Sequence, residues 1–334
     1  MPIRKLGILT SGGDSPGMNS AVRAAALTAQ NQGIIPIGIR RGYQGILDRD
    51  LIPLDDTQLS PVLAHGGTLL QSSRCKAFYT EEGRQTGAQL LRDQEIDALI
   101  VVGGDGSLTG ARELHRLKIP VIGLPGTIDN DIYGTDIAIG VDTALNTIMQ
   151  MADRITDTAR SHQRCFLIEV MGRRSGYLAL SAALSCGATA AIIPEFRVNL
   201  KRLKDRLSHG FKARPSDSIL FLAEGVASAD EFERRFQELD DSPSSEQEFR
   251  KSVLGHVQRG GSPSHFDRLL ASRMGELAVN ALVQGESGVM TALKRGRLTV
   301  VDFDEVLSRK KLLPNDLIRL ARHLGLEFGD VVEV

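Results

Sequence analysis

The stretch Ala98-Leu99-Ile100-Val101-Val102-Gly103-Gly104-Asp105-Gly106-Ser107 decides the fold. Its first five residues are apolar without alternation, the pattern of a strand buried on both faces. Two glycines break the run, and helical spacing from Gly106 to about Leu117 carries the chain away again. Strand, glycine turn and helix in that order form the unit of an α/β sheet, whose ligands gather at the carboxyl ends of the strands.

The same rhythm repeats on either side. Short apolar runs at Leu6–Leu9, Ile34–Ile39, Val121–Leu124, Phe166–Val170, Ala190–Ile193 and Ile219–Leu222 predict further strands. Helices are expected over about Asn19–Gln32, Asp142–Ser161 and Leu312–Leu326. The charged, Ser-rich Arg234–Gln247, containing Asp240-Asp241-Ser242-Pro243, reads as a surface helix end and loop. The expected class is α/β, with two similar Rossmann-like lobes built on mostly parallel sheets. One lobe is expected to take residues 1–138 and part of 255–310, the other 139–254 and the C-terminal segment 311–334.

Composition narrows the function classes. Of 334 residues, 42% are hydrophobic and 24% charged, an ordinary globular balance, while aromatics at 4% and the lack of Trp call for an aliphatic core. A formal net charge of -1 gives no global field for nucleic acid or a membrane surface, so any anion site must come from local arginines. The apolar runs fall far short of the roughly 18 residues that cross a bilayer. Three cysteines, Cys75, Cys165 and Cys186, have no metal-type spacing, and no leader precedes the first strand, so a reduced, cytoplasmic chain is expected.

Three turns carry candidate chemistry. Thr10-Ser11-Gly12-Gly13-Asp14-Ser15-Pro16-Gly17 joins the first strand to the first helix, where glycines admit a phosphate to the backbone and a helix N-terminus favours its charge. It matches neither the P-loop nor the dinucleotide spacing, so phosphate binding and a plain structural turn both stand. Asp105 in Gly103-Gly104-Asp105-Gly106-Ser107 is a hard oxygen ligand suited to nucleotide-bound Mg²⁺, or else a helix cap. In Pro125-Gly126-Thr127-Ile128-Asp129-Asn130-Asp131 the two carboxylates divide base and metal duties, or form Asx turns.

With these turns, Arg164, Met171-Gly172-Arg173 and Leu254-Gly255-His256-Val257-Gln258-Arg259-Gly260-Gly261-Ser262-Pro263, the chain resembles the ATP-dependent 6-phosphofructokinases over about 270 residues. The resemblance implies a phosphofructokinase-like fold and transfer of the γ-phosphoryl of MgATP to fructose 6-phosphate. It implies that Gly13, Tyr43, Arg74, Cys75, Gly104, Asp105, Gly106 and Ser107 serve ATP, with Asp105 on Mg²⁺. Asp129 would deprotonate the sugar's 1-hydroxyl, while Thr127, Arg173 and Arg74 steady the phosphoryl group, since such transfer needs positioning and charge neutralisation above all. Ile128, Arg164, Met171, Gly172, Glu224, Arg250, His256, Val257, Gln258 and Arg259 would complete the sugar-phosphate site. The resemblance further implies a homotetramer in which Arg164 and Arg250 serve the neighbouring subunit's substrate.

Two departures matter. Pyrophosphate-using relatives carry Asp and Lys where this chain has Gly106 and Gly126, so both positions point to ATP. The effector pocket of bacterial relatives keeps Arg23 but has Leu27, Asp56, Thr156, Thr189, Ala213, Pro215, Ser216 and Asp217 elsewhere, with Arg214 among the last, so the usual diphosphate control is expected to be weak. A catalytically silent subunit, a dinucleotide oxidoreductase and a lipid or NAD kinase are the competing readings. Retention of Asp105 and Asp129, the missing dinucleotide fingerprint and the arginine set argue against them in turn.

Overall fold

The computed structural model describes residues 3–162, 164–213, 219–238 and 249–331. Asp240 to Pro243 and Arg214 to Asp217, read above as loop and effector positions, lie outside these residues. The strands are β1 Lys5–Ser11, β2 Ile35–Ile39, β3 Leu51–Pro53, β4 Ala98–Gly103, β5 Val121–Pro125, β6 Phe166–Val170 and β7 Ala190–Ile192. They continue with β8 Phe196–Arg197, β9 Ile219–Ala223, β10 Arg250–Val253, β11 Val289–Lys294, β12 Arg297–Asp302 and β13 Asp330–Val331. The helices are α1 Met18–Asn31, α2 Tyr43–Asp48, α3 Asp56–Leu59, α4 Glu81–Asp93, α5 Asp105–Arg116 and α6 Val141–His162. After them come α7 Tyr177–Cys186, α8 Leu200–Ala213, α9 Ala229–Gln237, α10 His265–Val283, α11 Phe303–Ser308 and α12 Asn315–His323.

The chain divides into two units, one of residues 1–128, 132–143 and 259–311, the other of 129–131, 144–258 and 312–334. The first holds a seven-stranded sheet in the order β12-β11-β5-β4-β1-β2-β3. Its inner strands are parallel and the two edges antiparallel. The full burial of β4 explains its unbroken apolar run, because both faces are covered. One face packs Leu6, Ile8, Ile100 and Val102 against α1 and α10, and the other packs Leu9, Leu99 and Val101 against α2, α4 and α5. The chain runs from β1 to β2 on one side and returns to β4 on the other, so β1 and β4 flank the switch point where such sheets bind ligands.

The second unit carries a parallel sheet in the order β10-β6-β9-β7 and a two-stranded ribbon of β8 and β13. Its core mixes aliphatics from β6, β7 and β9 with an aromatic group of Phe232, Phe236 and Phe249. The C-terminal helix is shorter than its sequence pattern: α12 begins at Asn315 after Pro314, and Leu312 is exposed. Among the described residues no helix is long and apolar enough to cross a membrane.

Candidate active site

In the first unit, three strands end side by side in glycine turns. Gly12, at φ 87°, turns the chain out of β1, and Gly17, at φ 99°, caps α1. No other residue fits these left-handed positions without strain. Gly103 lies so close to β1 that a Cβ would sit 2.4 Å from the Ser11 carbonyl, so the two turns press together only because that side chain is missing. Gly104 is the extended N-cap of α5, and Asp105 stands exposed in the first turn rather than acting as the cap. Phosphate charge is favoured at such a helix start. Nothing approaches the Cβ position of Gly106 within 4 Å.

Two hydrogen bonds hold the Arg74 segment to β1 and its turn. Thr10 Oγ1 donates to the Gln71 carbonyl at 2.8 Å, and Ser72 Oγ to the Gly12 carbonyl at 2.6 Å. Arg74 itself is exposed, whereas Cys75 is buried in the cluster around Tyr43 and Phe78. Tyr43 is buried too, stacked on Phe78 at 4.6 Å, and its hydroxyl donates to the Ser107 carbonyl. Burial pushes its phenol well above the usual range, so it stays a donor at every ordinary pH. Tyr43 therefore reaches the α5 turn from below. Arg259, read as a sugar-phosphate residue, lies across Gly13, with Nη1 donating to the Asp14 carbonyl at 3.0 Å.

After β5, Gly126 N donates to the Gly103 carbonyl at 3.0 Å and Thr127 N to the Ile139 carbonyl at 3.2 Å, which fixes the start of the third turn. Thr127, Ile128 and Asp129 are all buried, Asp129 at 2% exposure, and Asn130 is left-handed at φ 49°. A carboxylate so enclosed feels charges strongly, because little water screens it.

In the second unit, Met171, Gly172 and Arg173 follow β6 directly. Gly172 has φ 135° and Arg173 φ 52°, and Arg173 N donates to Glu224 Oε1 at 2.9 Å. Glu224, at the end of β9, thus sets the backbone of the arginine loop. Gln258 is fully buried, accepts from Met171 N at 3.2 Å and donates to the Gly255 carbonyl at 2.9 Å, while His256 and Val257 beside it are exposed. Glu195, with no motif to mark it, accepts from Gly176 N at 2.9 Å and closes the same loop, and burial raises its pKa.

Arg164 and Arg250 lie at the other end of this sheet. Arg164 precedes β6, Arg250 opens β10, and Arg250 pairs with Phe166 at the start of β6. Met171, Arg173 and Glu224 follow the far ends of β6 and β9, about 17 Å away along a five-residue strand. The sheet therefore brings Met171, Arg173 and Glu224 together and keeps Arg164 and Arg250 apart from them.

The residues fit a nucleotide-borne Mg²⁺. No group of three or more His, Cys, Asp or Glu suited to a metal occurs among the described residues, and Asp105 is a single exposed carboxylate at a helix start. Mg²⁺ bound with substrate phosphates needs one or two carboxylates, not a protein cage. Among the effector positions, Arg23 keeps a buried Nε with no hydrogen-bond partner among the described residues, and Thr156 spends its hydroxyl on the Ala152 carbonyl.

Comparison with known proteins follows the same outline. A family model described as phosphofructokinase matches residues 5–282. The chain is 47% identical to an ATP-dependent 6-phosphofructokinase of Thermotoga neapolitana, covering 97% of this chain and 100% of that protein. It is 42% identical to ATP-dependent 6-phosphofructokinase 2 of Bacteroides thetaiotaomicron, covering 97% and 99%. Among solved structures, phosphofructokinase from Saccharomyces cerevisiae superposes with TM-score 0.82 at 34% identity, over 91% of this chain and 45% of that longer one. A pyrophosphate-dependent phosphofructokinase from Nitrosospira multiformis gives TM-score 0.85 at 20% identity, over 99% of this chain and 94% of that one, which speaks to the fold alone.

Proposed function

This chain belongs to the phosphofructokinase family, and on that premise we propose that it is an ATP-dependent 6-phosphofructokinase working in glycolysis in the cytoplasm. The observation that carries the reading is the set of adjacent strand-end turns with Asp105 exposed on one and Asp129 buried on another. Gly13, Gly104 and Ser107 line the donor turns, and Arg74 supplies charge to the nucleotide phosphates. Mg²⁺, held through Asp105 and the phosphates, supplies neutralising charge when bound.

Asp129 accepts the proton of the sugar's 1-hydroxyl as that oxygen bonds the γ-phosphorus. The bond from phosphorus to the bridging oxygen breaks, and ADP departs with the electron pair. Thr127 and the Arg173 guanidinium stabilise the spread negative charge. Glu224 gives one carboxylate oxygen to Arg173 N–H and keeps the other for a sugar hydroxyl. Met171, Gly172, His256 and Arg259, with Ile128 and Val257, complete the acceptor site, and Gln258 holds the backbone of Met171. Arg164 and Arg250 serve the neighbour's substrate in a homotetramer, a reading supported by their place at the far end of their own sheet.

The test is fructose 1,6-bisphosphate formation from fructose 6-phosphate and Mg²⁺ with ATP or pyrophosphate, in wild type and Asp129→Ser. The expected result is activity with ATP that falls roughly 10²–10⁴-fold in the variant. Activity with pyrophosphate alone would overturn the donor, and none with either would favour a silent subunit.

A further inference from the structure

A cluster of basic side chains lies within the second unit, in a cleft of about 270 Å³ formed by α8, α12 and the chain leading into β13. Its walls include Arg202, Arg206 and Arg322 around one buried carboxylate, Glu327. Arg202 and Arg206 are four residues apart on α8 and so share a face, while Arg322 comes from the last turn of α12. None of the three belongs to the phosphoryl-transfer residues or to the effector positions considered above.

Glu327 arranges this cluster without neutralising it. Its backbone is stitched to β7, N donating to the Thr189 carbonyl at 3.1 Å and O accepting from Ala191 N at 2.9 Å. Its side chain, 6% exposed, meets Arg202 Nε at 3.2 Å, which leaves both terminal nitrogens of that guanidinium for another partner. Arg206 Nη1 is 4.0 Å from the same carboxylate, a Coulomb contact rather than a hydrogen bond. Arg322 lies over the Phe328 ring at 5.9 Å and has no carboxylate partner among the described residues. Asp330, exposed, also borders the cleft, so among the described residues three positive charges face two negative ones there.

We propose that this cleft binds a compact phosphate-bearing anion that is not a nucleotide. Phosphate offers three terminal oxygens to three guanidinium groups, whereas a single carboxylate offers two. The aromatic ring in the wall is unavailable to a base, because Phe328 is 3% exposed, edge-packed by Phe196 and covered by Arg322. Occupancy would tie α8 to α12 and brace β7, which pairs with β9, the strand that ends at Glu224.

Equilibrium binding of radiolabelled inorganic phosphate to the full chain, at fixed ionic strength, tests this. Wild type is expected to show a saturable site that is weakened about tenfold or more in Arg206→Gln/Arg322→Gln, since each lost guanidinium removes a charge-assisted contact. That double variant keeps the Arg202–Glu327 pair, and Arg309→Gln, an arginine of the first unit, serves as the control that should bind as wild type. Equal binding by wild type and the double variant, or loss in the control as well, would overturn the site. Malonate displacing phosphate at lower concentration than sulfate would overturn the preference for a phosphate-shaped anion, and adenosine monophosphate binding more tightly than phosphate would overturn the exclusion of nucleotides.

Discussion

Donor choice is a question about two glycines, and their surroundings differ. A Cβ at Gly106 would meet nothing within 4 Å, while one at Gly126 would lie 2.9 Å from Met18 Cε and 3.2 Å from Val102 Cγ1. Gly106→Asp should therefore fold normally, a first-turn carboxylate being welcome at a helix start, yet repel nucleotide phosphate. We expect kcat/KM for ATP to fall about tenfold or more with stability changed by less than about 0.5 kcal/mol, read from steady-state rates and urea unfolding. Gly126→Lys should instead lose about 1–3 kcal/mol through overpacking, chiefly against Val102, which is stiff at χ1 on the buried β4 and cannot swing aside as the Met18 methyl can. A Gly126→Lys variant as stable as wild type would show that the turn yields more easily than its packing implies. These glycines were legible as turn residues in the sequence; the difference in space around them was not, because it depends on Met18 and Val102, which come from other elements.

Elements that merge into one another are where sequence patterns gave least. The β11–β12 hairpin turns at Arg295 and Gly296, both at positive φ, in place of the Asn-Gly or Asp-Gly pair that usually announces such a turn. Helix α10 is hard to see in the sequence because Phe266, Leu269 and Val283 are apolar yet exposed, which blurs the buried stripe of Leu270, Ala271, Met274, Ala278 and Val279, and Gly275 packs on the α1 backbone. At its start Asp267 does work that no motif signals. Its carboxylate accepts from Gly140 N, Thr143 N and Thr143 Oγ1, satisfying donors at the head of α6 that no helical bond reaches. Burial raises its pKa to about 6, against the opposing hydrogen bonds and with a smaller push from Asp142. A folded-state pKa above the unfolded value means that the folded chain takes up the proton first, so this group's contribution to stability is greatest below about pH 4 and declines as pH rises to about 6. The stability gap between wild type and Asp267→Asn should accordingly be wider at pH 4.5 than at pH 7; a gap independent of pH would show that Asp267 titrates normally. Tyr43 links two other elements in the same manner. Tyr43→Phe should cost about 1 kcal/mol and raise KM for ATP more than it lowers kcat, because the lost bond holds the Ser107 turn rather than touching the reacting atoms.

For the whole molecule, the strand runs from Leu6 to Leu222 were legible because buried parallel strands are apolar throughout, and they fall where β1, β2, β4, β5, β6, β7 and β9 stand. A sequence cannot place residues across subunits, and there the fold supplies the constraint. Arg164 precedes β6 and Arg250 opens β10, while Met171, Arg173 and Glu224 follow the far ends of β6 and β9, so the sheet holds the two groups at opposite ends. If Arg250 serves the neighbour, a defect in it and a defect in Asp129 harm different halves of a shared site. Asp129→Ser subunits would still lend Arg250, and Arg250→Ala subunits would still supply the base. Mixed oligomers, made by unfolding and refolding the two inactive variants together, should then contain intact sites and recover activity roughly tenfold or more above either parent. If instead each chain uses its own Arg250, every site in the mixture carries one lesion and the rate stays at the parental level. Activity assayed against the mixing ratio separates the two: sharing gives a maximum near equal amounts, because only pairs of unlike subunits complete a site, and self-sufficiency gives a flat line.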